Sequence, residues 1–551
     1  MITIYKARKI HTLNPSNRTA DHIAVNGSGM ILGVGSYDEV SAWGEHEVDD
    51  TFADKIMIPG FVEAHAHVMA GGMMTLPYLG YFQRPRADGS IAPAITSYDL
   101  LVEVLKAEDA RLTDSQEEIV AVGFDPIYFQ DQPRLTRHQL DQVSTTRPIY
   151  IQHASGHLAT VNTAMLEKNG VTRDLRVEGL GRDTRGDLDG ELREPPAMSL
   201  CKSGHRTVML SNNTEVALRD FGAMACNVGI TTCTDLAGSA ILSTKLLDMW
   251  KRVTGDDSFP IRVVQYNIPV MPGEAADFAA IAEAMLELRR EETDKYRMPG
   301  VKFVLDGSIQ GFSALINPPG YFKGEDHGQL LAVPEQLKDW IMPFHQAGLS
   351  VHMHCNGNKT QDLAIETIER LLCEAPRPDH RHTITHAQLT TQAQLRKMSK
   401  LGLCANFFSN HLWYWGDQHY AMTVGPERAN QIEPCRSAIR EGVSFSVHSD
   451  AGVTPLGSLH TMWCAVNRIT PSGRVLGEAE KITPAEALKA VTIDAAYQMH
   501  LDHEIGSLEA GKRADIAILD EDPLVVDPMK IRDIEVWGTL LGGIKYQAAD
   551  R

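Results

Sequence analysis

The chain has 551 residues, 43% hydrophobic and 22% charged, with a formal net charge of −19. That length exceeds one ordinary core and points to a large domain with additions. The acidic surplus argues against nucleic acid and anionic membranes as partners.

No apolar run is long enough to span a bilayer, and the first residues lack the apolar stretch of a secretory signal. Eight scattered cysteines without metal-type spacing read as reduced thiols, so a cytoplasmic protein is expected.

Residues 1–57 hold short β-like runs at 2–5, 22–25 and 31–34, the last two joined by the turn Asn26-Gly27-Ser28-Gly29. An apolar run then follows Pro59-Gly60 and ends in His65-Ala66-His67. Side chains alternate faces along a strand, so His65 and His67 point the same way and form half of a metal site. The alternative for such a pair is a solvated strand face, and the positions of the other histidines must decide.

Residues 73–211 are too long for a strand-to-helix connection and carry their own strands at 119–122 and 148–151; they read as an inserted subdomain. Apolar runs follow at 229–234, 261–266, 301–306, 349–354, 383–386, 402–406 and 443–447. Helical patterns separate several of them, at 214–226, 274–290, 334–346, 361–373 and 426–441. With the first strand these runs make eight, which closes a parallel β/α barrel over residues 58–72 and 212–502. β-like texture returns at 516–519 and 534–537. Neither terminus alone has enough strands to bury a face, so residues 1–57 and 503–551 are expected to build one small β-sandwich. The fold class is α/β: a (β/α)8 TIM-like barrel with that composite sandwich and an insertion after strand one.

In such a barrel the C-terminal ends of the strands carry the chemistry. His65 and His67 end strand one, Lys302 lies on strand four, His354 ends strand five, His386 ends strand six, and Asp450 follows strand eight. Any one of these could be a solvated strand-end residue; five strands in register with the barrel count favour a site. Lys302 also has a simpler reading, an ion pair with Asp306 on the same strand face.

The order His-x-His, Lys, His, His, Asp resembles the metal-dependent amidohydrolase superfamily. The matching phrases are Pro59-Gly60-Phe61, Val301-Lys302 with Asp306-Gly307-Ser308, His354 with Gly357-Asn358, Thr385-His386-Ala387-Gln388, His448-Ser449-Asp450 and 508–515. They resemble its amidohydrolase-3 branch, the YtcJ-like proteins and N-substituted formamide deformylases, and span almost the whole chain. The resemblance implies one or two divalent metals per chain, zinc by ligand type, with His65 and His67 on one and His354 and His386 on the other. Lys302 would bridge them as a carbamate formed with carbon dioxide, since a lysine in an apolar strand has reason to lose its proton. The metal would lower the pKa of water toward neutrality, and Asp450 would shuttle its proton to the leaving nitrogen.

The sequence departs from the branch at Thr385 and Asn358, where acidic residues are often found. His352 shares a face with His354 and reads either as a ligand or as a supporting group. His157, in the insertion, resembles a position beside the substrate, and a structural histidine is the alternative. The segment after strand seven offers His411, Trp413, Tyr414 and Trp415, in a chain only 7% aromatic, as a pocket wall or as packing.

The reading is a hydrolase of a non-peptide C–N bond, an amide or N-formyl group, in a small, uncharged, partly aromatic substrate. A mononuclear deaminase or cyclic-amide hydrolase is the second reading, and a catalytically silent regulatory protein on the same barrel the third. Neither nucleic acid nor membrane is an expected partner, and self-association into a homo-oligomer is left open.

Overall fold

The computed structural model describes residues 1–549 except 17–18, 115, 213, 239–242, 271–275 and 325–326. Its centre is a sheet of eight parallel strands: Phe61–Ala66, Ile230–Gly238, Arg262–Asn267, Tyr296–Val304, Ser350–Cys355, Thr383–His386, Cys404–Phe407 and Phe445–Val447. These are barrel strands one to eight, each paired with its neighbour in sequence order. Strands eight and one, the two ends of the sheet, are joined by bonds from the segment after strand eight: Asp450 N donates to His65 O at 3.0 Å and His67 N to Ala451 O at 2.9 Å. Within the seam, Asn406 Nδ2 also donates to Ala64 O at 3.0 Å.

Strand parity sorts the side chains. On strand five every residue is buried, but Val351, Met353 and Cys355 join the apolar core while His352 and His354 occupy the opposite face. On strand four Val301 joins the same core, so Lys302 takes the other face. Helices such as Asn358–Glu374 and Gln392–Leu401 cover the outside through residues including Ile365, Ile368, Leu395 and Met398.

Helix ends follow local chemistry. Thr214 caps Glu215–Cys226 by accepting from Ala217 N at 3.1 Å. The single helix predicted over 426–441 is two, Gly425–Ala429 and Cys435–Glu441. Pro434 offers no amide hydrogen and Glu433 has φ of 50°, which together interrupt the helix. The predicted start of another helix, Glu274, lies outside the described residues; the helix itself is Phe278–Arg289.

Both termini meet in a second, mixed sheet of eight strands, in which Ile516–Leu519 pairs antiparallel with Ile56–Pro59. Ala514 N also bonds Gly29 O at 2.8 Å, and Tyr5, Ile23, Phe52 and Ile516 pack together as this sheet's own core. Within the insertion a third sheet of five strands includes Ile119–Phe124, Ile149–His153 and Leu158–Val161. No described helix is long and apolar enough to cross a membrane, and all eight cysteines are free.

Candidate metal centre

The C-terminal mouth of the barrel opens into a cavity of about 270 Å³. His65, His67, Lys302, His354, His386 and Asp450 all line it. Asp450 Oδ1 lies 3.2 Å from His65 Nε2 and 3.1 Å from His67 Nε2, and its Oδ2 lies 3.8 Å from His386 Nδ1. His386 and Asp450 both have positive φ, 70° and 52°, so the chain turns sharply where each strand ends and delivers the side chain to the mouth.

The decisive feature is what these buried atoms lack. Both ring nitrogens of His65 and of His448, His386 Nδ1, Lys302 Nζ and Asp450 Oδ1 are buried with no hydrogen-bond partner. Buried polar groups are normally satisfied, so a convergent set of lone pairs without donors marks a place for a cation. Two triads bring one ligand atom each to within 4.8 Å: His65, His67 and Asp450, and His65, His386 and His448. They share His65, and neither includes His354, whose Nε2 sits 3.0 Å from Asn356 Nδ2 and 3.2 Å from Gly307 O.

Burial drives the electrostatics. Desolvation, reinforced by neighbouring Lys302, holds His65 and His354 well below the usual imidazole pKa; His386 is lowered likewise by burial and by His354. Neutral imidazole is the form that binds metal. For His67 burial acts the same way, but Asp450 outweighs it and the pKa rises. Lys302 falls to about 7 through desolvation, against the pull of Asp450.

The simple ion pair between Lys302 and Asp306 does not form. Asp306 accepts instead from the amides of Asn356 at 3.0 Å, Gly357 at 2.9 Å and Leu315 at 3.1 Å, and from Thr360 Oγ1 at 2.9 Å. It ties the ends of strands four and five together, and complete burial still lifts its pKa to about 7. His352 lies away from the lining, against Tyr266 with ring centres 4.2 Å apart, and its Nδ1 is 3.3 Å from Thr385 Oγ1. The threonine that departs from the branch pattern is therefore a neighbour of His352.

A sequence profile described as the amidohydrolase family matches residues 53–544. The chain belongs to that family. At 24% identity it is similar to the N-substituted formamide deformylase of Arthrobacter pascens, over 97% of this chain and 96% of that one. At 23% it is similar to the putative amidohydrolase YtcJ of Bacillus subtilis, over 98% and 99%. An uncharacterized metal-dependent hydrolase from Pyrococcus horikoshii shares the fold, with a TM-score of 0.72 at 20% identity, covering 96% of this chain and 99% of that one.

In this amidohydrolase the insertion and the strand-seven segment complete the cavity unevenly. His157 lines it, with Nδ1 held by Glu194 Oε2 at 2.8 Å; burial opposes its protonation, yet Glu194 raises its pKa. His411 lines it too, its Nδ1 bonded to His419 Nε2 at 2.8 Å. Trp413, Tyr414 and Trp415 do not line it, contrary to the pocket-wall expectation. Trp413 packs edge-on against Trp463 with Arg532 over its ring, Trp415 donates its indole N–H to Asp125 at 2.9 Å, and Tyr414 packs on Phe82. A short helix, His411–Tyr414, leads into Trp415, which packs behind the cavity-lining His411 with ring centres 4.4 Å apart. The apolar walls are instead Phe303, Leu305, Leu331, Trp340, Phe408 and Val453.

Two residues of the centre escaped the sequence reading. His448 stacks on His65 at 4.8 Å, 16° from parallel, and its pKa falls to about 3 by burial. The signal was present: His448-Ser449-Asp450 repeats the i, i+2 spacing of His65 and His67. Glu63 accepts from Ser449 N at 3.1 Å and Ser449 Oγ at 2.7 Å, fastening strand one to strand eight beside the centre; burial raises its pKa to about 7. Glu63, His65 and His67 continue one strand face, so this too was readable.

Proposed function

We propose that the chain hydrolyses a non-peptide C–N bond, an amide or N-formyl group, in a small molecule with an apolar, partly aromatic portion. The observation that carries this reading is Asp450. Its carboxylate meets His65, His67 and His386 in one buried cavity whose remaining walls are largely apolar. The unpartnered nitrogens fit a divalent cation of the zinc type: His65 and His67 would hold one with the Asp450 carboxylate beside it, and His386 and His448, which converge with His65, mark a second position. When bound, the metal supplies Lewis acidity, which makes water a nucleophile near neutral pH and favours negative charge on the attacked carbonyl oxygen.

The chain's own groups do the rest. Asp450 takes a proton from the attacking water and returns it to the leaving nitrogen as the C–N bond breaks. His157, oriented by Glu194 and with its ring centre 5.7 Å from that of His354, donates toward the substrate carbonyl. Phe303, Trp340 and Phe408 exclude water and receive the apolar portion.

Lys302, with its pKa near 7 and an unpartnered Nζ, is suited to carbamylation. The neutral amine's lone pair forms an N–C bond to carbon dioxide and the nitrogen releases one proton, leaving an anionic oxygen donor among the histidines. A mass measurement showing unmodified Lys302 in the metal-loaded, active enzyme eliminates the carbamate. Sharing of His65 between the triads supports a one-metal centre as the second reading. Metal analysis of the purified protein, combined with a hydrolysis screen of formamides, aryl amides and cyclic amides, tests both. Two metals with turnover of the open-chain amides is the expected result, whereas one metal with turnover of cyclic amides alone favours the alternative.

A further inference from the structure

Beside the main cavity, toward the insertion, lies a second chamber of about 160 Å³. Two side chains, Ser155 and Gln310, line both spaces and form the partition between them. Gln310 follows strand four in the loop that Asp306 anchors, and Ser155 follows the insertion strand Ile149–His153. The chamber is therefore built jointly by barrel and insertion and adjoins the main cavity.

The walls show what it would hold. Tyr98, Phe129 and Phe312 offer apolar faces, enough to pack a short alkyl or aryl link. The lining mixes donors such as Tyr98 and Ser155 with several acceptors that have capacity to spare. Gln310, 6% exposed, keeps Oε1 without a partner, and His153, 3% exposed, keeps Nδ1 without one, an acceptor in the tautomer whose Nε2–H donates to Thr160 Oγ1 at 2.8 Å. Asp125 accepts from Ile127 N and Trp415 Nε1, which leaves part of its carboxylate's acceptor capacity unused. The one cation in the lining, Arg134, is engaged two-pronged by Glu191, so it offers the chamber no unopposed positive charge. An incoming carboxylate would face Asp125; an incoming hydroxyl or amine would find acceptors.

We propose that this chamber is a substrate subsite for a hydrogen-bond-donating end, a hydroxyl or amine, of a molecule whose scissile amide sits at the His65–Asp450 centre. The proposal rests on the amide-hydrolase reading and deepens it: the substrate has two parts, an apolar portion in the main cavity and a donor-tipped arm that passes the Ser155–Gln310 partition. The unpartnered acceptors explain the selectivity, since a buried acceptor left empty costs more than the same acceptor filled.

The test uses the metal-loaded protein and N-alkyl formamides of two to six carbons, each ending in methyl, hydroxyl, amine or carboxylate. At one chain length the hydroxyl and amine members are expected to exceed the methyl member in kcat/KM about tenfold or more, with the carboxylate member last. Gln310→Leu should lower the donor-tipped members at least tenfold more than the methyl member, and Gln310→Glu, which retains an acceptor, should restore the preference. No preference at any length, or an equal loss across all four ends in Gln310→Leu, overturns the subsite while leaving amide hydrolysis intact. If no formamide is cleaved, the catalytic reading fails instead, and calorimetry with the matching amino alcohols decides the subsite. Binding by the parent and Gln310→Glu that Gln310→Leu loses supports it, and equal or absent binding in all three overturns it.

Discussion

The barrel contains two buried histidine clusters, one at each end, and they differ in what their ring nitrogens touch. At the floor, His345 Nε2 pairs with Ala375 O at 2.8 Å and its Nδ1 with His382 Nε2 at 2.9 Å. His382 Nδ1 accepts from Val351 N at 3.1 Å. His380 Nε2 pairs with Leu401 O at 2.8 Å, and its Nδ1 accepts from His382 N at 2.9 Å. One consistent set of neutral tautomers satisfies all six nitrogens: Nε2–H donates from His345, His382 and His380, and every Nδ1 accepts. At the mouth, His65 and His448 form no hydrogen bond through either nitrogen, although His65 Nε2 lies 3.2 Å from the Asp450 carboxylate. His382 at the floor and His65 at the mouth are both buried and both held neutral by desolvation, so neither burial nor depressed pKa separates a ligand from a structural histidine. The unfilled hydrogen-bond capacity does.

The comparison is broken most directly at the mouth. His65→Asn and His67→Asn are expected to strip metal and lower turnover by about 10⁴-fold or more, the scale seen when one member of a catalytic unit is removed. Metal analysis and initial rates check this, and near-normal values in both variants erase the distinction between the clusters. Asp450→Asn should keep most of the metal yet slow the reaction about 10²- to 10⁴-fold, the usual contribution of acid–base catalysis. Full kcat in that variant would remove Asp450 from the proton path.

At the floor the pattern should invert. His382→Leu leaves Val351 N and His345 Nδ1 without their partner, which costs about 1–3 kcal/mol of stability for each stranded group, while metal content and kcat hold. Denaturant melts beside metal analysis read both halves. The pH dependence sharpens the contrast. Because burial lowers the folded-state pKa of His382, the unfolded chain binds its proton first as pH falls below about 6.5. His382 thus contributes stability that is fully present above that pH and is lost progressively toward its lower folded pKa. His382→Leu should flatten the stability curve across that acid window; an unchanged slope means the floor does not titrate as described.

The smallest effect is expected at the strand-seven segment. Trp415→Phe removes the donor to Asp125 and should cost about 1 kcal/mol, with aryl and aliphatic substrates affected alike. A selective rise in KM for aryl substrates would put that ring in the substrate's path after all.

Much of the centre was legible because strand periodicity is a local rule. Once residues 61–66 form a strand, Glu63 and His65 share a face and His67 follows at the same spacing just past its end, whereas His448 and Asp450 lie beyond strand eight, where the φ of 52° at Asp450 breaks strand parity. The eight parallel strands were legible for a related reason: buried parallel strands read as apolar runs separated by amphipathic helices. What strand parity could not convey was the fate of loops. The aromatic cluster 413–415 carries no periodic signal, and only the turn taken by His411–Tyr414 directs Trp413 onto Trp463 and Trp415 onto Asp125.

The sequence by itself determined the barrel, the strand ends that carry its polar residues, and the family to which the chain belongs, since these follow from short-range alternation and ordered motifs. Tertiary structure alone decided which histidines remain unsatisfied, that Asp306 braces strands four and five instead of pairing with Lys302, and that Ser155 and Gln310 stand between two chambers. Those outcomes depend on partners dozens to hundreds of residues apart. Whether a buried nitrogen finds a donor is a property of the packed interior that no local pattern contains.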